Sequence, residues 1–322
     1  MAIPRRAHFC WIGASLPWAY VFGILSAAER SELAEIFLHH TDALEDDARR
    51  RALERCPRVQ LSRIDPIDCL LRAGHSVGAG DVLAEIYREI ANPAIQSDLL
   101  RAAILYLEGG VYLDLDTITT ASLLPLLDAP QFVGCERIVW PHFVRTSRSP
   151  GLWCRSITLD LLRRAMRHAP GGWAMFRRLE SLYYRGINNA VMGAEPHSRL
   201  CALYLRAMAA LPAQRRSVLY ALGPDLLQEV AAQFSRDDLI IAEPRVFYPL
   251  APEISEHWFR VSRRVRLEAV LSRETRVVHW YASVRTRSKV AAVDPRYVRA
   301  NRDRQLYSAL VCNCIRNLPE AA

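Results

Sequence analysis

Lysine is all but missing from this 322-residue chain. Lys289 is the single example, so the 42 basic residues less that one leave 41 arginines. Against 34 acidic residues they give a net charge of +8. A nucleic-acid partner is the first thought, but the positive charge is scattered and its densest runs, Arg49-Arg50-Arg51 and Arg263-Arg264, are short. The expectation is no specific nucleic-acid binding, with a general attraction to phosphate-bearing ligands. Glycine and proline are also scarce, 32 of 322 together, which excludes a collagen-like or linker-dominated chain. The eight cysteines include no CxxC, and Cys312-x-Cys314 has no partner pair at zinc-ligand spacing. Several lie in apolar runs, as buried thiols do. Reduced cysteines and a cytoplasmic location are expected, not a disulfide framework. An unbroken apolar span is missing too. Phe9 to Ala28 carries no charge and follows Arg5-Arg6, as secretory signals do, but Gly13, Ser15 and Pro17 interrupt it. A strand, a loop and a helix fit that stretch better.

What remains is a globular composition, 51% hydrophobic and 24% charged, enough for a sizeable core in one large domain or two closely packed ones. The N-terminal third alternates compact apolar runs with helical patterns. Strands are expected at Ala7–Ile12, Glu35–His39 and Val59–Ile64, with helices from Pro17 to Arg30 and from Ala43 to Arg55. That alternation predicts βαβ units and a parallel sheet, with ligands at the carboxyl ends of the strands. Asp81–Ile90 and Ala94–Leu107 read as helices, the second capped by Gly109-Gly110, and Val111–Asp116 as a strand ending in acid. Residues 151–215 read as mostly helical, interrupted by a loop at Ile187–Gly193. Leu239–Tyr248 and Arg276–Ala282 include strand-like pieces.

The chemistry concentrates in Ser97–Thr117. Side-chain alternation puts Asp114 and Asp116 on one face of a strand. Two adjacent carboxylates repel unless a cation lies between them, and Mg²⁺-like ions use one or two carboxylates together with substrate phosphates. An acidic, solvated turn is the plain alternative. Asp98 and Arg101, at i and i+3, share a helix face and can pair, either as a surface ion pair or to hold a polar ligand.

Together these residues spell S-D-x-x-R-x-x-x-L-x-x-x-G-G-x-Y-x-D-x-D. The pattern resembles the DXD sugar-binding region of a glycosyltransferase superfamily. That group includes initiating mannosyltransferases, capsular and lipopolysaccharide sugar transferases and glucosylating clostridial toxins, with family 32 the nearest named group. Further agreement runs in the same order along the chain: Ile3-Pro4 with His8-Phe9-Cys10-Trp11-Ile12-Gly13, Asn188-Asn189 with Met192-Gly193, Gly223-Pro224, Phe247-Tyr248-Pro249 and His279-Trp280. The resemblance spans about residues 3–283. It departs at the end, where the family often has a second Trp and this chain reads His279-Trp280-Tyr281-Ala282-Ser283-Val284.

The resemblance implies a GT-A fold: an α/β chain with a Rossmann-like central sheet flanked by helices, and a helical, arginine-rich C-terminal half. It implies a single catalytic domain over 1–322, with 1–150 binding the nucleotide-sugar and 151–322 binding the acceptor and completing the site. The donor would be a nucleotide-sugar, UDP favoured over GDP, used with Mn²⁺ or Mg²⁺ and with retention. Asp116 would be the leading metal ligand. Asp114 would serve the metal, the ribose or the donor sugar, and Asp98 and Arg101 would hold sugar hydroxyls. Trp11 is set between nucleobase stacking and core packing, and Tyr112 between lining the site and core packing. Asn188 or Asn189 is set between a ligand contact and an ordinary turn. His279 and Ser283 are the two candidates for completing the metal site, and His8 reads as structural. Acceptors considered are a saccharide or glycolipid of a bacterial surface polymer, then a protein, then a small natural product. The arginines and Trp140, Trp153 and Trp173 suggest an acceptor face or a membrane-proximal one. A catalytically silent sugar-nucleotide-binding module and a nucleic-acid binder are the competing classes.

Overall fold

The computed structural model describes residues 3–262, 265–282 and 286–320. Three apolar runs form β1 (Arg6–Trp11), β2 (Glu35–His40) and β3 (Val59–Arg63), joined through α1 (Trp18–Arg30) and α2 (Ala48–Glu54). The α2 helix begins later than the polar pattern from Ala43 suggests. Asp47 decides its start, because its carboxylate accepts from the backbone N–H groups of Arg49 and Arg50. Next come α3 (Pro66–Val77), α4 (Val82–Glu89) and α5 (Pro93–Glu108). Asn92 caps α5, Pro93 takes its first position, and Gly109 ends it at φ 62°.

The chain continues through β4 (Gly110–Leu113), β5 (Thr117–Thr119) and β6 (Gln131–Ile138). After α6 (His142–Arg145), α7 (Pro150–His168) and α8 (Gly172–Leu179) comes the long β7 (Tyr184–Ala194). Then follow α9 (Arg199–Ala210), a helix at Pro224–Ala231, β8 (Ile240–Ala242) and β9 (Val277–His279). Seven strands make one sheet in the order β3-β2-β1-β4-β7-β6-β8. The first four are parallel, β7 is antiparallel to both β4 and β6, and β8 is parallel to β6. β5 and β9 pair separately, aligning Thr117 with His279. This is the α/β architecture expected from the sequence, a largely parallel central sheet flanked by helices.

Alternation along the strands divides the core in two. Val111 and Leu113 of β4 point into a core shared with α1 and the helix at Leu306–Cys314. Tyr112 between them points into the core under α3, α4, α5 and α9.

Two expectations change. The strand expected at Val111–Asp116 stops at Leu113, and the two acids lie on a turn. The backbone N–H and the hydroxyl of Thr117 both donate to the Asp114 carbonyl, at 3.1 and 2.6 Å, and fold the chain before it enters β5. Gly23 of α1 makes room for this turn: a Cβ there would stand 2.7 Å from the carbonyl oxygens of Leu115 and Thr117. The loop expected at Ile187–Gly193 is the middle of β7. Its pairing with β6 jumps from Val133–Met192 to Gly134–Asn188, so residues 189–191 bulge out of register.

Candidate active site

A cleft of about 960 Å³ opens where β1, β4 and β6 end and β7 begins, within the range of small-molecule sites. Its polar floor is made by α5, the turn after β4, the bulge of β7 and the segment after β9. Trp11, Asp98, Arg101, Asp114, Asp116 and His279 all line it.

Arg101 is the hub of one side of the floor. Its guanidinium spans both Asp114 oxygens, at 3.2 Å to Oδ2 and 3.1 Å to Oδ1, and donates to the Asn189 carbonyl at 2.7 Å. It also lies 3.3 Å from Asp98 Oδ1 and over the Tyr112 ring at 4.8 Å. The Asn189 amide donates to Asp98 Oδ1 at 2.7 Å. The bulge therefore delivers a carbonyl to Arg101 and an amide to Asp98. Burial pushes the Asp98 carboxyl up to about 6, with Arg101 and Asn189 pulling it back. Asp98 and Arg101 are buried, so they form no surface ion pair, and Arg101 spends most of its donors inside the protein. Gly223 presses on this group: a Cβ there would stand 2.7 Å from Asp98 Oδ2.

Asp116 is held from the other side. His279 Nε2 lies 3.0 Å from Oδ1, and the Ala282 N–H donates to Oδ2 at 2.7 Å. Burial opposes both charges of the Asp116–His279 pair and is outweighed by their attraction. Asp116 is held below the usual carboxylate range and His279 above the usual imidazole range. For Asp114 burial wins over Arg101, and its carboxyl is raised. One ligand atom from each of Asp114, Asp116 and His279 lies within 4.8 Å of the others. Two carboxylates suit Mn²⁺ or Mg²⁺, and His279 would join them as a neutral imidazole, once the ion has displaced the proton that Asp116 favours. Ser283, the other candidate for this site, lies outside the described residues.

Trp11 lines the cleft with Tyr20 beside it, ring centroids 5.5 Å apart, and its indole N–H is buried without a partner. Asn188 also lines the cleft. Its side-chain oxygen accepts from the Ala190 N–H at 2.7 Å and from the Tyr248 hydroxyl at 3.3 Å. Tyr112 does not reach the cleft: it is buried under Arg101, with its hydroxyl 3.3 Å from Ser97 Oγ. His8 is buried away from the cleft, 2.9 Å from His39 and 2.8 Å from the Gly109 carbonyl.

Three lining residues were not singled out from the sequence: Tyr20, Glu136 and Tyr281. Glu136 is buried, its carboxyl raised by burial and steadied by Asn188 and Tyr281.

Residues 68–133 match the family described as a glycosyltransferase sugar-binding region containing a DXD motif. That match takes in the segment that supplies Asp98, Arg101, Asp114 and Asp116. No curated protein matches the chain in sequence. Among solved structures, the PaToxG glycosyltransferase is similar at 15% identity, over 72% of this chain and 70% of that one, with a TM-score of 0.43. The apo WbbM bifunctional glycosyltransferase is 13% identical over 99% of this chain and 50% of that one, TM-score 0.46. Apo mouse xyloside xylosyltransferase 1 is 12% identical over 85% and 96%, TM-score 0.43.

Proposed function

We propose that this protein is a divalent-ion-dependent, retaining glycosyltransferase. It would move a hexose from a nucleotide-sugar, with UDP the favoured nucleotide, to an acceptor hydroxyl in bacterial polysaccharide or glycolipid synthesis. The observation that carries the proposal is the convergence of Asp114, Asp116 and His279 at the floor of a cleft whose next neighbours are Asp98, Arg101 and Asn189.

Asp114, Asp116 and His279 would hold the ion, which when bound neutralises charge developing on the leaving diphosphate. Asp98 accepts from donor-sugar hydroxyls, held in place by Asn189 and Arg101. Arg101 fixes Asp114 through both carboxylate oxygens and adds positive charge beside the diphosphate. Trp11 and Tyr20 offer aromatic surface to the nucleobase. The sugar–phosphate bond breaks as the acceptor oxygen bonds the anomeric carbon on the same face. The acceptor proton passes to a phosphate oxygen of the leaving group, so the step requires no protein base. Aligning the two reactants supplies the rest of the acceleration.

We also propose one catalytic unit in which 1–150 serves the donor and 151–322 the acceptor and the closing of the site. The pairing of β5 with β9, which aligns Thr117 with His279, supports this reading.

The test is hydrolysis of a panel of UDP- and GDP-sugars with Mn²⁺, Mg²⁺ or EDTA, by wild type and Asp116→Ala. One donor cleaved with metal, but not with EDTA or by the variant, is the expected result. Neither cleavage nor calorimetric binding of any donor sinks the proposal.

A further inference from the structure

The exposed side of α7 is apolar in a way the core does not require. Trp153, Ile157 and Leu161 recur every four residues, so they form one stripe, and they are 40%, 47% and 60% exposed. The opposite face, with Leu159 and Met166, is buried. The stripe joins the cleft mouth: Trp153 packs on Trp140, which lines the cleft, at 5.4 Å between ring centroids. Phe143, 52% exposed and also lining the cleft, meets Tyr184 edge-on. Arg155 of α7 lies over Tyr184 and donates to the Leu182 carbonyl, bringing exposed Leu182 onto the same surface.

Charge selects the occupant of this surface. Residues 142–182 hold eight arginines and two acids, a net +6 of the chain's +8. The sole acid of α7, Asp160, is buried against Arg163, so the exposed side of the helix carries arginine and no carboxylate. Arg148, Arg155 and Arg178 are exposed on or beside the helix, whereas Arg164 pairs with Asp160 at 2.8 Å, and Arg145, Arg163 and Arg167 pair with Asp225, Glu253 and Glu256 of neighbouring segments. An apolar stripe with Trp at one end and arginines on its flanks matches the headgroup boundary of an anionic bilayer. There the apolar side chains enter the acyl region while the guanidiniums meet lipid phosphates. No described helix is long and apolar enough to cross a membrane.

We propose that α7 docks this protein on an anionic membrane surface, with the cleft mouth beside the lipid. The docking stands on the surface alone. Delivery of a lipid-borne acceptor from that surface rests on the transferase activity proposed above.

The experiment is flotation of the full chain with phosphatidylcholine vesicles, and with vesicles containing about one-third phosphatidylglycerol. Wild type is expected to float with the anionic vesicles only, and to be released at about 1 M salt. The exposed double substitution Ile157→Ser/Leu161→Ser and the charge reversal Arg148→Glu/Arg178→Glu are each expected to reduce flotation about tenfold or more, with an unchanged melting temperature. Absence of flotation by wild type, or wild-type flotation by either variant, overturns the proposal. So does a wild-type dimer that Ile157→Ser/Leu161→Ser converts to monomer without any vesicle binding, which assigns the stripe to a second copy of the chain. Donor hydrolysis is measured separately, so its failure removes the enzymatic reading and leaves the flotation result intact.

Discussion

The Tyr281 hydroxyl donates to Glu136 Oε2 at 2.7 Å, from a backbone held at φ 58°. Left-handed φ is uncommon for an aromatic residue, and here it occurs between His279 and Ala282, which both bind the Asp116 carboxylate. The strained residue thus ties the Asp116 clamp to a buried carboxyl on β6. Tyr281→Phe keeps the ring and removes the anchor. It should lower stability by about 0.5–1.5 kcal/mol through the lost hydrogen bond to Glu136, which Asn188 still steadies, and reduce kcat/KM for the donor. Thermal unfolding and donor-hydrolysis kinetics check this, and an unchanged melting temperature would contradict it.

Arg101→Lys should behave as a severe substitution despite keeping the charge. A single ammonium cannot span both Asp114 oxygens and also reach the Asn189 carbonyl. Because Arg101 acts through Asp114, turnover should fall more than donor affinity weakens, on the order of 100-fold against a few-fold. Steady-state kinetics with separate calorimetric donor binding would show the split. Equal effects on both would mean that Arg101 serves mainly to bind donor.

Two glycines should fail differently. Gly23→Ala drives a methyl into two backbone carbonyls of the Asp114–Thr117 turn, which neither α1 nor the turn can relieve cheaply. It should destabilise the protein by about 1–3 kcal/mol. Gly223→Ala meets the Asp98 carboxylate instead. Its main effect should be a rise in donor KM of about tenfold, with a smaller fall in melting temperature. The reverse ranking in melting temperature would show that the turn yields more readily than the Asp98 group.

His8 and His39 predict an acid limb in the stability profile. Burial is the largest cause of both shifts and lowers His8 to about 3 and His39 to about 4, from 6.5. His8, kept neutral, makes no ion pair with Glu108, although their atoms approach to 4.0 Å. Folded pKa values below the unfolded ones mean that the unfolded chain binds the extra protons. Stability is therefore complete above pH 6.5 and is lost as pH falls toward 4, by about 1.4 kcal/mol per pH unit for each histidine. His39→Phe, stacked beside Phe37, should flatten that limb by about half relative to wild type in melting temperature against pH. An identical slope in the variant would assign the limb to other groups.

Much of the cleft floor was legible in the sequence because it is local. The α5 helix, its glycine stop and the two acids fall within one short segment, where spacing alone brings them close. The turn at Asp114–Asp116 was not legible as a turn. An apolar run followed by D-x-D reads equally as strand, and the choice is made by Thr117 folding back onto Asp114. The Asn pair was misplaced for a related reason. Asn favours turns in isolation, but β7 lies between two strands and accommodates the pair as a bulge. Glu136, Tyr20 and Tyr281 carry no local pattern at all. They meet only because the sheet order brings β6, α1 and the segment after β9 around one cleft. The α7 stripe was present as spacing, but spacing cannot say which face of a helix the core has left uncovered.

The position of β7 has a consequence for how the chain can be divided. β6 precedes residue 150, yet it reaches β4 only through β7, which is drawn from the later half. A fragment ending at residue 150 would strand β6 as a lone segment and leave β4 an open, apolar sheet edge, its residues all buried in the intact molecule. Neither half has a finished sheet of its own. The interlock makes the protein inseparable by proteolysis or domain exchange at that boundary, and a nascent chain must hold its first four strands unsealed until β7 has been synthesised.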